Sequence, residues 1–300
     1  MQEFEPSLRA LRLFQMIGEG SGLVKAAERM GMSQSAASHA IGVLERATGA
    51  KLFVRGRGQL RFSNTAERLL PHIRQMLQAL EAIREKLAAE AGVQRGFLRV
   101  AAVPTVASSV MPALLREFAK RYPGIDVTLL EGTDHEVAEW VRRMVSHCGF
   151  AALPAAGLDG YPIGKDEWTI LAPKSEFEGQ GQAKLAQLRG RRLLLSGGGC
   201  EDHILHLFRG ARVALPDHLV VRQMDTIHAM VAEELGVSVV PSLALARRPK
   251  NVRVLKLSPR RFRTIGLLLP PKVVRSPALE RWVDVVTAVC PEILERVSGC

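Results

Sequence analysis

Apolar residues recur every three positions at Leu8, Leu11, Phe14 and Ile17, one stripe of a short helix. Gly18, Gly20 and Gly22 punctuate its end. A second short helix is predicted over 23–30, where Ala26 and Ala27 would let a neighbouring helix approach closely. Gly31, Met32 and Ser33 form a tight connection, because glycine accepts left-handed geometry after a helix and serine caps the next one. A third helix is predicted over 34–48, ending at Gly49, with Ala37, Ile41 and Leu44 turned inward and Gln34, Ser35, Ser38 and His39 outward. Two short helices joined by a glycine-containing turn make a helix-turn-helix. On its outward face glutamine can pair with adenine and serine suits several partners. The alternative for that face is a solvated surface on an ordinary bundle. Two strands at 52–54 and 60–62, with Gly56 and Gly58 between them, complete a winged domain.

Ala66, Leu69, Ile73, Met76, Leu80, Ile83 and Leu87 then alternate spacings of three and four, the seam of a coiled coil, with Arg68, Arg74, Glu81, Arg84 and Glu85 outside it. This helix has nothing in its own chain to pack against, so it implies a partner helix. The alternative is an amphipathic helix lying on a C-terminal domain. Pro71 predicts a kink and residues 92–96 a hinge. Strands are predicted at 97–103, 125–130, 193–195, 219–221, 237–240 and 252–255. Helices are predicted at 111–122, 135–146 and 226–235, and a turn at 104–109. Alternating strands and helices imply an α/β fold with a mainly parallel sheet.

Charge narrows the function. The 300 residues carry 41 Lys and Arg against 30 Asp and Glu, a formal +11 that draws polyanions. From 46 to 66 every charged residue is basic: Arg46, Lys51, Arg55, Arg57 and Arg61. Cations beside a recognition helix meet the phosphate backbone, where most affinity arises. A second acid-free stretch runs over 235–279 and reads as a solvated basic face, a second polyanion contact or a docking surface for another subunit. The first seven residues hold Glu3 and Glu5 and no apolar core, which argues against a secretory signal. No apolar run is long enough for a transmembrane helix. The cysteines (Cys148, Cys200, Cys290 and Cys300) are scattered without zinc spacing, so no metal, disulfide framework or cofactor is expected and a reducing cytoplasm fits. No catalytic motif of the hydrolase, P-loop, zinc-protease or dinucleotide type occurs, so an enzyme is not expected. The remaining rival is an architectural DNA-binding protein that senses nothing.

These residues resemble the LysR-type transcriptional regulators. The resemblance rests on KAAERMGMSQSAASHAIGVLE at 25–45, GAKLFVR at 49–55, and Ser63, Asn64, Thr65 and Ala66. It implies that Ser33, Gln34, Ser35, Ser38 and His39 face the operator, that Arg55 and Ser63 hold phosphates, and that Arg57 reaches towards the minor groove. Val24, Ser35 and Ala66 stand where the family usually has a Ser or Thr cap, a Pro and a Gly. More loosely, Tyr122, Pro123 and VAEELGVSVVP at 231–241 resemble the family's effector-binding domain, with Gly149 and Glu234 replacing a usual Asp and Gly. The fold expected is an N-terminal all-α winged helix-turn-helix (1–64) plus a linker helix (65–92) that dimerises the chain. A C-terminal α/β two-lobed periplasmic-binding-protein-like domain (93–300) follows.

A ligand of such a domain sits outside the carboxyl ends of strands, at helix N-termini. Thr105, Val106 and Ser108 follow the first strand; Ser196, Gly198 and Cys200 follow the strand at 193–195; Asp225 and Thr226 cap a later helix. Together they favour a small polar or anionic effector. Cys200 lies near the position where peroxide-sensing members of the family keep a reactive cysteine, but no resolving cysteine follows in 201–210. His203 and His206 could lower its thiol pKa or bind metal. The expected function is therefore a sequence-specific transcriptional regulator, activator or repressor, modulated by a small effector; the alternative is redox sensing through Cys200. Expected partners are a double-stranded DNA operator, the effector, the chain itself as homodimer or homotetramer, and RNA polymerase, but no membrane.

Overall fold

The computed structural model describes residues 5–56, 59–90, 95–248, 250–271 and 273–298. It divides into two compact units: residues 1–93 with 142–145 and 272–277, and residues 94–141, 146–271 and 278–300.

In the first unit, α1 (Leu8–Met16) is capped by Ser7, whose side chain accepts from the Ala10 N–H at 3.2 Å. It runs into a π-turn at Ile17–Ser21. Helices α2 (Gly22–Arg29) and α3 (Gln34–Thr48) follow, joined through Gly31 at φ 61°, a left-handed geometry that a side chain would strain. Strands β1 (Phe53–Gly56) and β2 (Gln59–Phe62) pair antiparallel with Phe53 opposite Phe62. Gly56 thus belongs to β1 rather than to the expected turn, and residues 57 and 58 lie outside the described residues. Phe14 stacks on Phe62 with ring centroids 4.7 Å apart, over a core that includes Leu11, Leu13, Ala26, Ala37, Leu44 and Leu52.

Helix α4 (Asn64–Glu90) is continuous through Pro71. It does find a partner in its own chain: Ala66, Leu70, Ile73 and Leu77 are buried in the winged-domain core. Arg74, expected on the outside, is buried as well. The heptad reading is therefore corrected for the first half of α4, where a stripe one residue off the expected seam at Leu70 and Leu77 faces inward. Met76, Ile83 and Leu87 stay 51%, 56% and 61% exposed.

The second unit opens with β3 (Gly96–Ala102), α5 (Pro104–Ser109), α6 (Met111–Arg121), β4 (Ile125–Glu131), α7 (Asp134–Arg142) and β5 (Cys148–Leu153). The expected turn at 104–109 is thus a short helix, begun by a proline in its first turn, where no N–H is needed. Then come β6 (Asp159–Pro173), β7 (Gln182–Ala183), β8 (Leu193–Ser196), α8 (Glu201–Gly210), β9 (His218–Val221) and α9 (Met224–Ala232). The unit closes with β10 (Ser238–Pro241), β11 (Val252–Leu257), β12 (Phe262–Leu269) and α10 (Pro277–Ser298).

The main sheet has the order β4-β3-β5-β12-β6-β11-β7, with β10 also on β6. It is mixed, which corrects the mainly parallel expectation. β3 pairs parallel with β4 and β5, but β12 runs antiparallel to β5 and β6, and β10 and β11 antiparallel to β6. The cause is β6, which is long enough to serve two lobes. Residues 159–167 pair with β12, and 168–173 pair with β10 and β11. One core gathers Val100, Phe118, Phe150, Ile265 and Trp282; the other gathers Trp168, Ile170, Leu195, Ile204, Phe208 and Val239. β8 and β9 form a parallel pair in the second lobe.

Candidate functional site

The N-cap of α3 is Ser33, whose hydroxyl accepts from the Ala36 N–H at 3.2 Å and lies 3.0 Å from that of Ser35. Gln34, Ser35, Ser38 and His39 are exposed along α3, opposite buried Ala37, Ile41 and Leu44. Glu45 at the far end of α3 accepts from the N–H groups of Leu52 and Phe53 at 2.8 and 3.2 Å and pairs with Lys51 at 2.9 Å. Burial opposes its ionisation, but these partners outweigh it and hold the carboxyl below its usual range. The wing is thereby fixed to the helix that would read DNA. Ser63 is engaged at the start of α4: its hydroxyl donates to the Lys51 carbonyl at 2.7 Å and accepts from the Ala66 N–H at 3.2 Å. Arg55 lies on β1, but its side chain is outside the described residues, as is all of Arg57.

The second unit holds a cavity of about 360 Å³ at the carboxyl ends of β3, β4, β8 and β9. The sequence expectation named eight wall residues. Thr105, Ser108, Ser196, Gly198, Cys200 and Asp225 line one cavity together. Two are corrected. Val106 is fully buried in the first lobe's core, because α5 is a helix and turns that side chain inward. Thr226 is exposed and off the wall; α9 is capped at Gln223, so Asp225 lies in its first turn and neither residue is the cap. Gly198 is needed for another reason than ligand approach: a Cβ there would run into the carbonyl oxygen of Arg222. Gly149, where an Asp was the family's habit, has no room either, since a Cβ would lie 2.6 Å from Val137.

Sequence reasoning missed Arg263, Thr133, Glu136 and Arg222 on the same wall. Thr133 and Glu136 had a legible signal, a Thr followed three residues later by Glu. The Glu136 carboxylate accepts from the Thr133 N–H at 2.8 Å and hydroxyl at 2.9 Å, which holds its pKa low, with the Arg222 charge adding to this. Arg263 was hidden in the basic stretch as if it were surface charge. It is 6% exposed. It donates from Nε to Asp166 at 2.9 Å and from Nη2 to the Thr105 hydroxyl at 2.7 Å. Asp166 also accepts from the Ser242 hydroxyl at 2.7 Å and the Leu243 N–H at 3.1 Å. Burial works against the guanidinium charge, but Asp166 above all raises its pKa, so it stays charged.

Other members of that stretch are engaged within the unit. Arg260 pairs with Glu167 through two bonds of 2.7 Å, and Arg253 donates to the Lys174 carbonyl at 2.9 Å. Asp134 accepts from the Ala152 N–H at 2.6 Å and meets His203 Nε2 at 3.0 Å. Its pKa is lowered despite burial, chiefly by those two hydrogen bonds. His203 is thus turned to Asp134. The Cys200 thiol is pushed up by burial, reinforced by the charges of Asp134 and Asp166 against those of Arg263 and a hydrogen bond from Ser196. A protonated, buried thiol is a poor nucleophile. Among the described residues no His, Cys, Asp and Glu cluster could hold a metal ion, and no helix is long and apolar enough to cross a membrane.

Comparison with known proteins places both units. Residues 8–67 match the model for bacterial regulatory helix-turn-helix proteins of the lysR family, and residues 91–291 match the LysR substrate binding domain. An uncharacterized HTH-type transcriptional regulator, YvbU of Bacillus subtilis, is 27% identical over 93% of this chain and 97% of its own. The probable HTH-type transcriptional regulator LrrA of Synechococcus elongatus is 29% identical over 98% of this chain and 100% of its own. The solved structure of a full-length OxyR variant from Pseudomonas aeruginosa shares the fold, with a TM-score of 0.77 and 24% identity over 94% of this chain and 98% of that one.

Proposed function

The chain belongs to the LysR family and is a DNA-binding transcriptional regulator with an effector-binding domain, and we propose how its residues divide that work. Ser33, Gln34, Ser35, Ser38 and His39 on α3 meet the operator in the major groove. Arg55, Arg57 and Ser63 meet its backbone, Ser63 through a geometry that keeps α4 capped. The cavity ringed by Thr105, Ser108, Ser196, Cys200, Asp225 and Arg263 receives a small polar effector, and its occupancy modulates DNA binding. The chain works in the cytoplasm as a homodimer or homotetramer, and RNA polymerase at the promoter is the machinery it acts upon. Its output is regulatory, with no chemical step of its own.

The observation that carries this reading is the pairing of two features in one chain: an exposed polar face on α3, and a cavity with polar and charged groups on its wall at strand carboxyl ends. Redox sensing through Cys200 gains no support from a thiol that burial keeps protonated. Selection of binding sites from random duplex DNA tests the reading. A two-fold symmetric motif protected as a discrete footprint is expected. Enrichment by flexibility alone, without a motif, would replace the regulator by an architectural protein.

A further inference from the structure

The charges around the cavity restrict what can enter it. Arg263 is held by Asp166, so that pair is neutral as a unit. Arg222 also lines the wall and forms no ion pair among the described residues; its charge acts on Glu136 only as one of the smaller influences that keep that carboxyl ionised. Two further wall carboxylates, Glu131 and Asp225, also form no ion pair among the described residues, so the wall presents unpaired charge of both signs. Of the helix N-termini at the wall, those of α7 and α9 carry acid in their first turns (Asp134 and Glu136, and Asp225), while that of α5 carries none. A simple anion would meet Glu131 and Asp225 as well as Arg222 at the exposed part of the wall.

The buried part of the wall offers a donor. Arg263 lines the cavity with its Nε and Nη2 held by Asp166 and Thr105, which leaves Nη1 outside those two bonds, and Nη1 is not one of the buried unpaired atoms among the described residues. Charge-assisted hydrogen bonds from a guanidinium are among the strong ones, and a ligand carboxylate in the cavity would accept one. A simple cation would accept none. We propose that the effector is a zwitterion, an amine-bearing carboxylic acid of α-amino-acid size, with its carboxylate on Arg263 and its ammonium towards Glu131 and Asp225. A cavity of about 360 Å³ takes one small organic molecule of that kind. This inference rests on the cavity being the effector site.

Calorimetry on the full-length protein tests it. The probes are the twenty L-amino acids, each beside its 2-hydroxy acid, which lacks the amine, and its decarboxylated amine, which lacks the acid. At least one amino acid is expected to bind at one per chain, with both analogues at least tenfold weaker. The variant Glu131→Gln with Asp225→Asn, two conservative changes at exposed positions, should weaken that amino acid at least tenfold and leave the hydroxy acid unchanged or tighter. A hydroxy acid binding as tightly as its amino acid overturns the zwitterion, as does an unaffected double variant, or no amino acid binding at millimolar concentration. If a hydroxy acid or amine binds instead, and Ala246→Trp in the cavity wall abolishes it, the effector cavity stands and only the zwitterion falls. Binding that survives Ala246→Trp would displace the cavity itself.

Discussion

His147 shows how much one side chain can set the acid stability of the second unit. Its Nδ1 accepts the backbone N–H of Arg99 at 2.8 Å, so the neutral ring carries its proton on Nε2. Burial, and secondarily the Arg99 charge, push its pKa down to about 4. Protonation would destroy the acceptor. The unfolded chain takes up this proton near pH 6.5 and the folded one near 4, so stability is fully present above pH 6.5 and is lost as pH falls towards 4. Moving from pH 7 to pH 5 should remove roughly 2 kcal/mol through this group alone. Urea unfolding of wild type and His147→Gln, at both pH values, checks this: the variant should lose markedly less on acidification. An equal loss would place the acid sensitivity elsewhere. Gln34 belongs to the same scale. It is exposed at the first position of α3, and Gln34→Ala should weaken operator binding by about 1–3 kcal/mol while sparing random DNA. Equal losses on both in a binding titration would make Gln34 a bystander. Residue roles were legible where local chemistry decides them. Ser33 caps α3 as its position implies. Arg263 was not legible, because its partners Thr105 and Asp166 are 158 and 97 residues away and only the folded sheet brings them together.

At the scale of elements, period and punctuation carried furthest in the winged domain. The bounds of α3 follow from Ser33 before it and Gly49 after it, and both residues act as caps. The second unit was harder to read. β5, β6, β12, α8 and α10 gave no clean pattern. β6 changes partners midway, so its first residues are exposed and its last fully buried, and no single alternation describes it. Helix α4 shows the converse, since its seven-residue repeat was real and was assigned to one face when two are in use. Leu70, Ile73 and Leu77 anchor it to its own domain, and Met76, Ile83 and Leu87 face solvent. Three large apolar side chains repeating along one helix face are what a second helix would cover. Ile83→Glu with Leu87→Glu should therefore lower the oligomeric state in sedimentation at micromolar concentration, with little change in the circular dichroism of the helices. Unchanged sedimentation would show that the chain associates through another face.

Across the whole effector-binding unit, the element that joins the two lobes is charged. β6 runs from one core to the other, and Asp166 sits on it where pairing passes from β12 to β10 and β11. Asp166 reaches Arg263 on β12 and Ser242 and Leu243 in the turn after β10, and Arg263 reaches Thr105 at the start of α5. A fully buried carboxylate and a nearly buried guanidinium thus tie four segments from both lobes beside the cavity. Such a pair adds little net stability over apolar packing, yet breaking it leaves a charge without a partner. Arg263→Ala should cost about 3–5 kcal/mol in urea unfolding, because Asp166 remains buried. Arg263→Met with Asp166→Asn should recover much of that loss, since it removes both charges and fills the volume. The double variant restores the charge balance that the single one breaks. Arg263 also faces the effector in the proposed site, so effector binding to the double variant is titrated beside operator binding: if the pair couples occupancy to the arrangement of the lobes, the variant should still bind effector at raised concentration while its DNA affinity no longer responds. A double variant as unstable as the single one would mean that the geometry of the pair, rather than its charge balance, holds the lobes. A double variant that still responds would move the coupling away from this joint.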